Sequence, residues 1–502
     1  MLCGAVFIVY ILVSLHIPFI PESVAIVVYG IIIGIIARFT NSAMAERVTT
    51  FNPDLFFLFI LPTIIFETGF SLPKTDFFHH FIPIIIFAVF GTMISFAVTG
   101  AGVYVVGLLG WSYPLSAKDS FIFGAMTSAT DPVATLAIFQ ALNVDSTLYM
   151  LVLGESILND ATAIMLYRTV ENFSLNLLWI NLLTFFAVSI GSVALGIVMA
   201  LVLSLMLKFI NFGKFPALET IFMIMFSYAS YVLANTLEIS GILAVFFFGI
   251  TFNQYGAYSL SPYTKLTSKQ LFRTAAFICE TCVFIYIGIS ASFHSFTFNT
   301  GLFIWSFVFL LVSRAMSVFP ICFILNKIKK DKIPMPIQVA LWFAGLRGAI
   351  AFSLSLFYKS PSQAYIQTDV LLNVCATLFI LGIGTYPLLK VLGIKTASSD
   401  QSLNNITQVM SKKTKAKERT KLYQSIDDKY FKKWFRRKLP PLSNEAIQIF
   451  ERLVKFSNEE DIDTYTFNSP ELRFELLENA EDNFNHNSDP TSPLIEGGPL
   501  VL

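Results

Sequence analysis

The strongest constraint on this chain is a repeated one. Apolar runs of membrane-spanning length recur, with short breaks, from the first residues to about residue 392. The pattern predicts helices over 3–20, 22–38, 54–71, 80–109, 119–141, 147–171, 177–208, 217–237, 240–253, 271–292, 301–326, 336–358 and 369–392. The chain holds 52 Phe in 502 residues and is 55% hydrophobic and only 13% charged. No soluble core needs that balance. The expected fold is therefore an all-α polytopic membrane protein, with about thirteen spans over 1–392 and a tail over 393–502. The first run is apolar from the start and lacks a basic leader region, so it is expected to span rather than to be cleaved.

Charge in the short loops orients the bundle. Lys74, Lys208, Lys214, Lys265, Lys269, Arg273, Lys327, Lys329, Lys330 and Lys332 fall on the side of the tail. Arg38, Arg47, Lys118, Arg168 and Lys359 fall on the other. The excess places the tail in the cytosol. Asn172-Phe-Ser174 is then an outer-side sequon in a very short loop.

The tail changes sign along its length. Residues 412–438 carry twelve Lys and Arg against three acids, and 441–502 carry thirteen acids against three bases. Within the basic stretch 412–440, Tyr430, Phe431, Trp434 and Phe435 lie among cations. That suits an amphipathic helix on anionic membrane lipid or in a partner's groove, and equally a solvated linker helix. The end of the acidic stretch has a disordered composition. The whole-chain net charge of +1 says nothing about partners, and no nucleic-acid partner is expected.

Polar groups inside the spans carry the functional information, since each ionisable one costs several kcal/mol in the membrane. In GESILNDATAIMLYRTV, starting at Gly154, the helical period puts Glu155 above Asn159 and Ser156 above Asp160. The four share one strip of roughly 140° of arc, which must face a cavity or another polar helix. In SATDPVATLAIF, Pro132 breaks the fifth segment and pushes Asp131 out of helical geometry. Carbonyls near Ala129 and Thr130 should then lose their helical partners. With the Thr130 hydroxyl and the Asp131 carboxylate they would make an oxygen site for a small hard cation. In WFAGLRGAIAF, Gly345 and Gly348 flank Arg347 and weaken the twelfth segment. These two breaks lie seven helices apart. That predicts two inverted six-helix repeats, helices 1–6 and 8–13, with broken helices 5 and 12 crossing at the site. Arg314 in the eleventh segment needs a carboxylate partner: Glu155 first, with Glu67 and Glu280 as alternatives.

Other chemistry has little support. No nucleophile–base set, phosphate loop or metal-ligand cluster stands out, so neither an enzyme nor a resident cofactor is expected. Cys279 and Cys282 have CxxC spacing without a second pair and are expected to pack. No filter-like run suggests a channel.

SATDPVATLAIF, LGESILNDATAIML and FAGLRGAIAFSL together resemble the signature segments of the eukaryotic sodium/proton exchangers, in the monovalent cation/proton antiporter superfamily. FLFILPTIIFETGFSL fits as well, and the resemblance spans nearly all of 1–392. The wording of SLSPYTKLTSKQLFRTAAFICETCVF is closest to the organellar, Golgi-type branch, with endosomal relatives near. The resemblance implies that Asp160 binds Na⁺ or K⁺ and H⁺ in turn, supported by Asn159. Thr130 and Asp131 would complete the site, with Ser156 nearby. Glu155 and Arg314 would form a structural salt bridge, and Arg347 would stabilise the broken twelfth helix. It further implies a homodimer in a Golgi or endosomal membrane. A calcineurin-B-homologous protein would bind at 420–440, the same stretch that suits anionic lipid. The expected activity is electroneutral exchange by alternating access. An electrogenic antiporter and a non-transporting pH sensor or scaffold remain as alternatives.

Overall fold

The structure is a computed structural model. It describes residues 1–15, 20–40, 53–72, 74–142, 144, 146–171, 178–210, 212, 215–293, 297–328, 332–393 and 432–435. Among these, all regular structure is helical. Arg47, Asn172 and most of the tail, including the acidic stretch 441–502, lie outside the described residues.

The helices are α1 (Leu2–Ser14), α2 (Glu22–Thr40), α3 (Pro53–Ser71), α4 (Phe81–Leu108), α5a (Ala117–Ser128) and α5b (Val133–Ala141). They continue with α6 (Ser146–Glu171), α7 (Leu178–Phe209), α8 (Pro216–Thr236), α9 (Gly241–Tyr255), α10 (Pro262–Phe293) and α11 (Thr300–Ile328). The last are α12a (Met335–Phe343), α12b (Ala349–Phe357) and α13 (Gln363–Val391). Counting the two halves of α5 together, ten are long and apolar enough to cross a membrane. Helices α1 and α9 are shorter, and α12 is split into two nine-residue halves.

Several ends depart from the sequence pattern. Helix α1 stops at Ser14, short of the expected 20. Helix α10 starts at Pro262 rather than 271, because Ser261 accepts a hydrogen bond from Thr264 N at 3.3 Å and so caps a polar first turn. Helix α13 starts at Gln363 rather than 369, which moves Asp369 from a helix end to a helix interior. In α3 the ladder widens to a π turn over Phe56–Ile60, where Pro62 lacks the N–H that would bond four residues back.

The packing has the exchange expected of two inverted repeats. Helix α2 packs along α10 and α3 along α9, so each helix of one set meets the counterpart of the other's partner. Likewise α4 packs on α5a as α11 does on α12a. Helix α9 is buried on all sides from Gly241 to Phe252, as an all-round apolar helix must be. Phe66 and Phe70 of α3 pack there against Phe248 and Phe252 of α9, and against Phe272 of α10.

Helices α2 and α10 approach closely enough for backbone to touch backbone. A Cβ on Gly30 would lie 2.5 Å from Ile285 O, and one on Gly288 would lie 2.9 Å from Gly30 Cα. Only small residues permit this approach, and Ser292 Oγ adds a hydrogen bond to Ile31 O at 3.0 Å. Part of the basic tail stretch is also ordered. Lys432–Phe435 forms one helical turn, where Lys208 of α7 donates to Trp434 O at 2.6 Å. The Phe435 ring lies 5.9 Å from that of Tyr255 on α9.

Candidate functional site: the crossing of two broken helices

Pro132 and its neighbours leave residues 129–132 non-helical, and residues 345–348 do the same in α12. The two breaks touch. Asp131 N donates to Leu346 O at 2.9 Å, and a Cβ on Gly348 would lie 2.6 Å from Asp131 Cγ. Gly348 is therefore required by close approach, not by an unusual dihedral.

Four half-helix ends now sit at membrane depth, each with unpaired backbone groups and a partial charge. Three side chains serve them. Arg347 Nη1 donates to Ser128 O at 2.9 Å and Ala129 O at 3.2 Å, closing the C-terminal end of α5a. Arg314 Nη2 donates to Leu341 O at 3.1 Å in the last turn of α12a. Asp131 Oδ1 accepts from Val133 N at 3.1 Å, at the start of α5b, and the same side chain lies against Gly348, which precedes the first residue of α12b. Cations thus meet both C-terminal ends, and one anion meets both N-terminal ends. The expected free carbonyls are consequently not free. Those of Ser128 and Ala129 serve Arg347, and Thr130 O accepts from Ser156 Oγ at 2.7 Å.

The polar strip of α6 lies across the break in α5. Asn159 Oδ1 accepts from Thr130 N at 3.3 Å, and its Nδ2 donates to Thr130 Oγ1 at 2.5 Å. Glu155 takes both guanidinium nitrogens of Arg314, Nη2 to Oε2 at 2.9 Å and Nη1 to Oε1. Glu67 instead accepts from Ser71 at 2.8 Å. Thr130, Glu155, Ser156, Asn159, Arg314 and Arg347 are all buried. Asp160 differs. It is partly exposed and has no hydrogen-bond or ion-pair partner among the described residues, and it faces the charge of Asp131.

Three buried polar residues, in and around the site, were missed from sequence. Thr377 Oγ1 of α13 accepts from Arg347 N at 3.1 Å, which fixes the break in α12 from behind. Asp119 is buried at the start of α5a and accepts from Tyr358 Oη at 2.5 Å and Ser360 Oγ at 2.9 Å. Those contacts join the far ends of α5a and α12b. Asp369 is buried within α13. Both acids had been placed at predicted helix starts, where a charge carries no signal.

Two matched sets of helices whose interrupted members cross around charged side chains define a secondary-transporter fold. Residues 4–391 match the family described as "Sodium/hydrogen exchanger, transmembrane". The chain belongs to the sodium/hydrogen exchanger family. It is 65% identical over 467 residues to sodium/hydrogen exchanger 1 of Dictyostelium discoideum, covering 92% of this chain and 69% of that one. It is 40% identical over 409 residues to sodium/hydrogen exchanger 8 of Homo sapiens, covering 78% and 70%. Its fold is similar to the solved structure of the sodium proton antiporter MjNhaP1 from Methanocaldococcus jannaschii at pH 8. The TM-score is 0.58 at 15% identity, over 78% of this chain and 97% of that one.

Proposed function

We propose that this chain is an electroneutral antiporter that exchanges Na⁺ or K⁺ for H⁺ by alternating access, with Asp160 as the carboxylate that carries either ion. The observation that supports this most is the isolation of Asp160. The other charged side chains of the two breaks and the α6 strip, Asp131, Glu155, Arg314 and Arg347, are each committed to a partner or a helix end. Of these five, Asp160 is left for cargo, near the Asp131 carboxylate and on the same strip as Asn159 and Ser156.

The mechanism follows from charge. Arg314 and Glu155 cancel, and Arg347 and Asp131 cancel, so the empty site carries the single negative charge of Asp160. A bound monovalent cation or a proton neutralises it. Moving an uncompensated charge through a low-dielectric region is costly, so loaded forms cross and the empty ionised form stalls. A proton arriving on one side displaces the cation there, and the reverse occurs on the other. One carrying group gives one-for-one exchange.

The relatives named as exchangers support the sodium reading, and the resemblance of residues 259–284 to the organellar branch supports a Golgi or endosomal membrane. The proposal includes a homodimer with the tail in the cytosol. The basic stretch 420–440 would bind anionic lipid or a calcineurin-B-homologous protein. The test is cation-driven proton flux in proteoliposomes, with Na⁺ and K⁺ gradients and the membrane potential clamped or varied. Flux that needs Asp160 and ignores voltage supports the reading, and flux that follows voltage would replace it with an electrogenic one.

A further inference from the structure

A second carboxylate lies deep in the bundle and takes no part in the crossing. Asp369 sits on α13, about 9 Å along the helix from Gln363 at 1.5 Å per residue. It is 3% exposed. Its partners are neutral. Asn373 Nδ2 lies 2.9 Å from Asp369 Oδ2, 3.0 Å from Asp369 O and 2.8 Å from Ser306 Oγ of α11, and donates among them. Ser306 Oγ in turn donates to Phe303 O at 3.0 Å.

No countercharge reaches this group. Helix α11 contributes Arg314, which is two turns away and held by Glu155, and Lys327 at its far end. Helix α5a contributes Lys118, which donates to Glu171 O at 2.8 Å, and Asp119, which is held by Tyr358 and Ser360. Helix α12b has no titratable residue, and α10 carries Lys265, Lys269 and Arg273 in its first half and Cys279, Glu280, Cys282 and Tyr286 beyond them. None of these forms an ion pair with Asp369 among the described residues. An ionised carboxylate buried without a cation is expensive, and a neutral carboxylic acid far less so.

The cluster is also short of a donor. Asn373 Oδ1 has no hydrogen-bond partner although Asn373 is 1% exposed. A proton on Asp369 would supply what is missing and remove the charge at once. From there a line of contacts runs to the crossing. Thr377 Oγ1 donates to Asn373 O at 2.9 Å and accepts from Arg347 N, and Arg347 closes α5a.

We propose that Asp369 is a second proton-binding carboxyl of this chain, separate from Asp160. Its proton, taken up from the end of the bundle where α13 begins, sets the pH range of exchange through Asn373, Thr377 and Arg347. The proton-binding part stands on the geometry of the cluster; the part about exchange rests on the antiport reading.

Two measurements on the full chain keep those parts separate. The first is infrared difference spectroscopy of purified protein across a pH series. It follows the carbonyl stretch of protonated carboxyls in wild type, Asp160→Asn, Asp369→Asn and the double variant. The Asp160→Asn protein should retain a buried-acid band that the double variant loses. A spectrum that Asp369→Asn leaves unchanged at every pH overturns the proposal, and would mean that water satisfies Asn373. The second is proteoliposome flux against pH on the side where α13 begins. Asp369→Asn should still exchange, with its midpoint displaced by about one pH unit, the scale on which one buried group acts. Thr377→Val should keep the infrared band yet show the same displacement. An unmoved midpoint in both variants overturns the coupling to Arg347. Absence of flux in wild type would sink the antiport reading and leave the infrared result standing.

Discussion

The guanidinium of Arg347 lies 2.9 Å from the carbonyl oxygen of Ser128, so a side chain from one broken helix closes the break in the other. Two carbonyls depend on it, whereas the hydroxyls of Thr127 and Ser128 serve carbonyls further back in α5a. Arg347→Met should lower stability by at least about 2 kcal/mol, the scale of a lost charged hydrogen bond with its acceptor left buried. It should also abolish flux. Arg347→Lys can reach one carbonyl and should recover part of the stability, read as a thermal midpoint in detergent.

Glu155 and Arg314 form the bidentate pair of the bundle. Removing one partner leaves a buried charge, so Glu155→Gln or Arg314→Met should each cost about 3–5 kcal/mol. The double variant should recover much of that loss but not all, because Leu341 O then lacks its donor. A double variant no more stable than the singles would argue against the pair as the main term.

Asp160 and Asp131 should separate function from architecture. Asp160 has no partner to lose, so Asp160→Asn should keep the wild-type thermal midpoint while losing flux. Asp131→Asn weakens the anion at two helix N-termini and should fall in stability by up to about 2 kcal/mol. Equal midpoints for the two variants would contradict the double-cap geometry.

Gly348→Ala places a methyl against the Asp131 side chain, which is held there by its bond to Val133 N and by the Asp131 N–H bond to Leu346 O. The crossing should open, with flux falling at least tenfold while the protein still reaches the membrane. Gly110→Ala is the comparison, because Gly110 has open space around it and only its φ of 75° to strain. It should cost about 1 kcal/mol and leave flux intact.

Tyr358→Phe removes one of two donors to Asp119 and keeps the ring packed. A loss of about 1 kcal/mol is expected, with Ser360 retained. Larger losses in Tyr358→Phe/Ser360→Ala would show that Asp119 ties the ends of α5a and α12b together.

What the sequence disclosed follows the range over which each signal acts. The polar strip of α6 is a local matter of helical period, and Pro132 and the Gly345–Gly348 pair are local breakers, so all three could be read directly. Arg314 demanded a carboxylate on energetic grounds, which narrowed its partner to three. The contact of Arg347 with Ser128 joins residues 219 apart, and nothing local encodes it. For the same reason the carbonyls of α5 looked vacant, although a distant guanidinium fills that role. Asp369 escaped notice because polar residues at its helix start moved the predicted boundary inward. A buried acid looked like an ordinary end residue.

The glycine contact between α2 and α10 has a further consequence. Where backbone meets backbone at Gly30 and Gly288, no groove remains for a file of water molecules or for a lipid tail. A wall sealed in this way insulates. A pump or exchanger that works against a proton gradient is limited by what leaks past it as much as by what it carries. Enlarging Gly288 would therefore show itself first as a passive proton conductance, measurable in liposomes with no cation gradient at all.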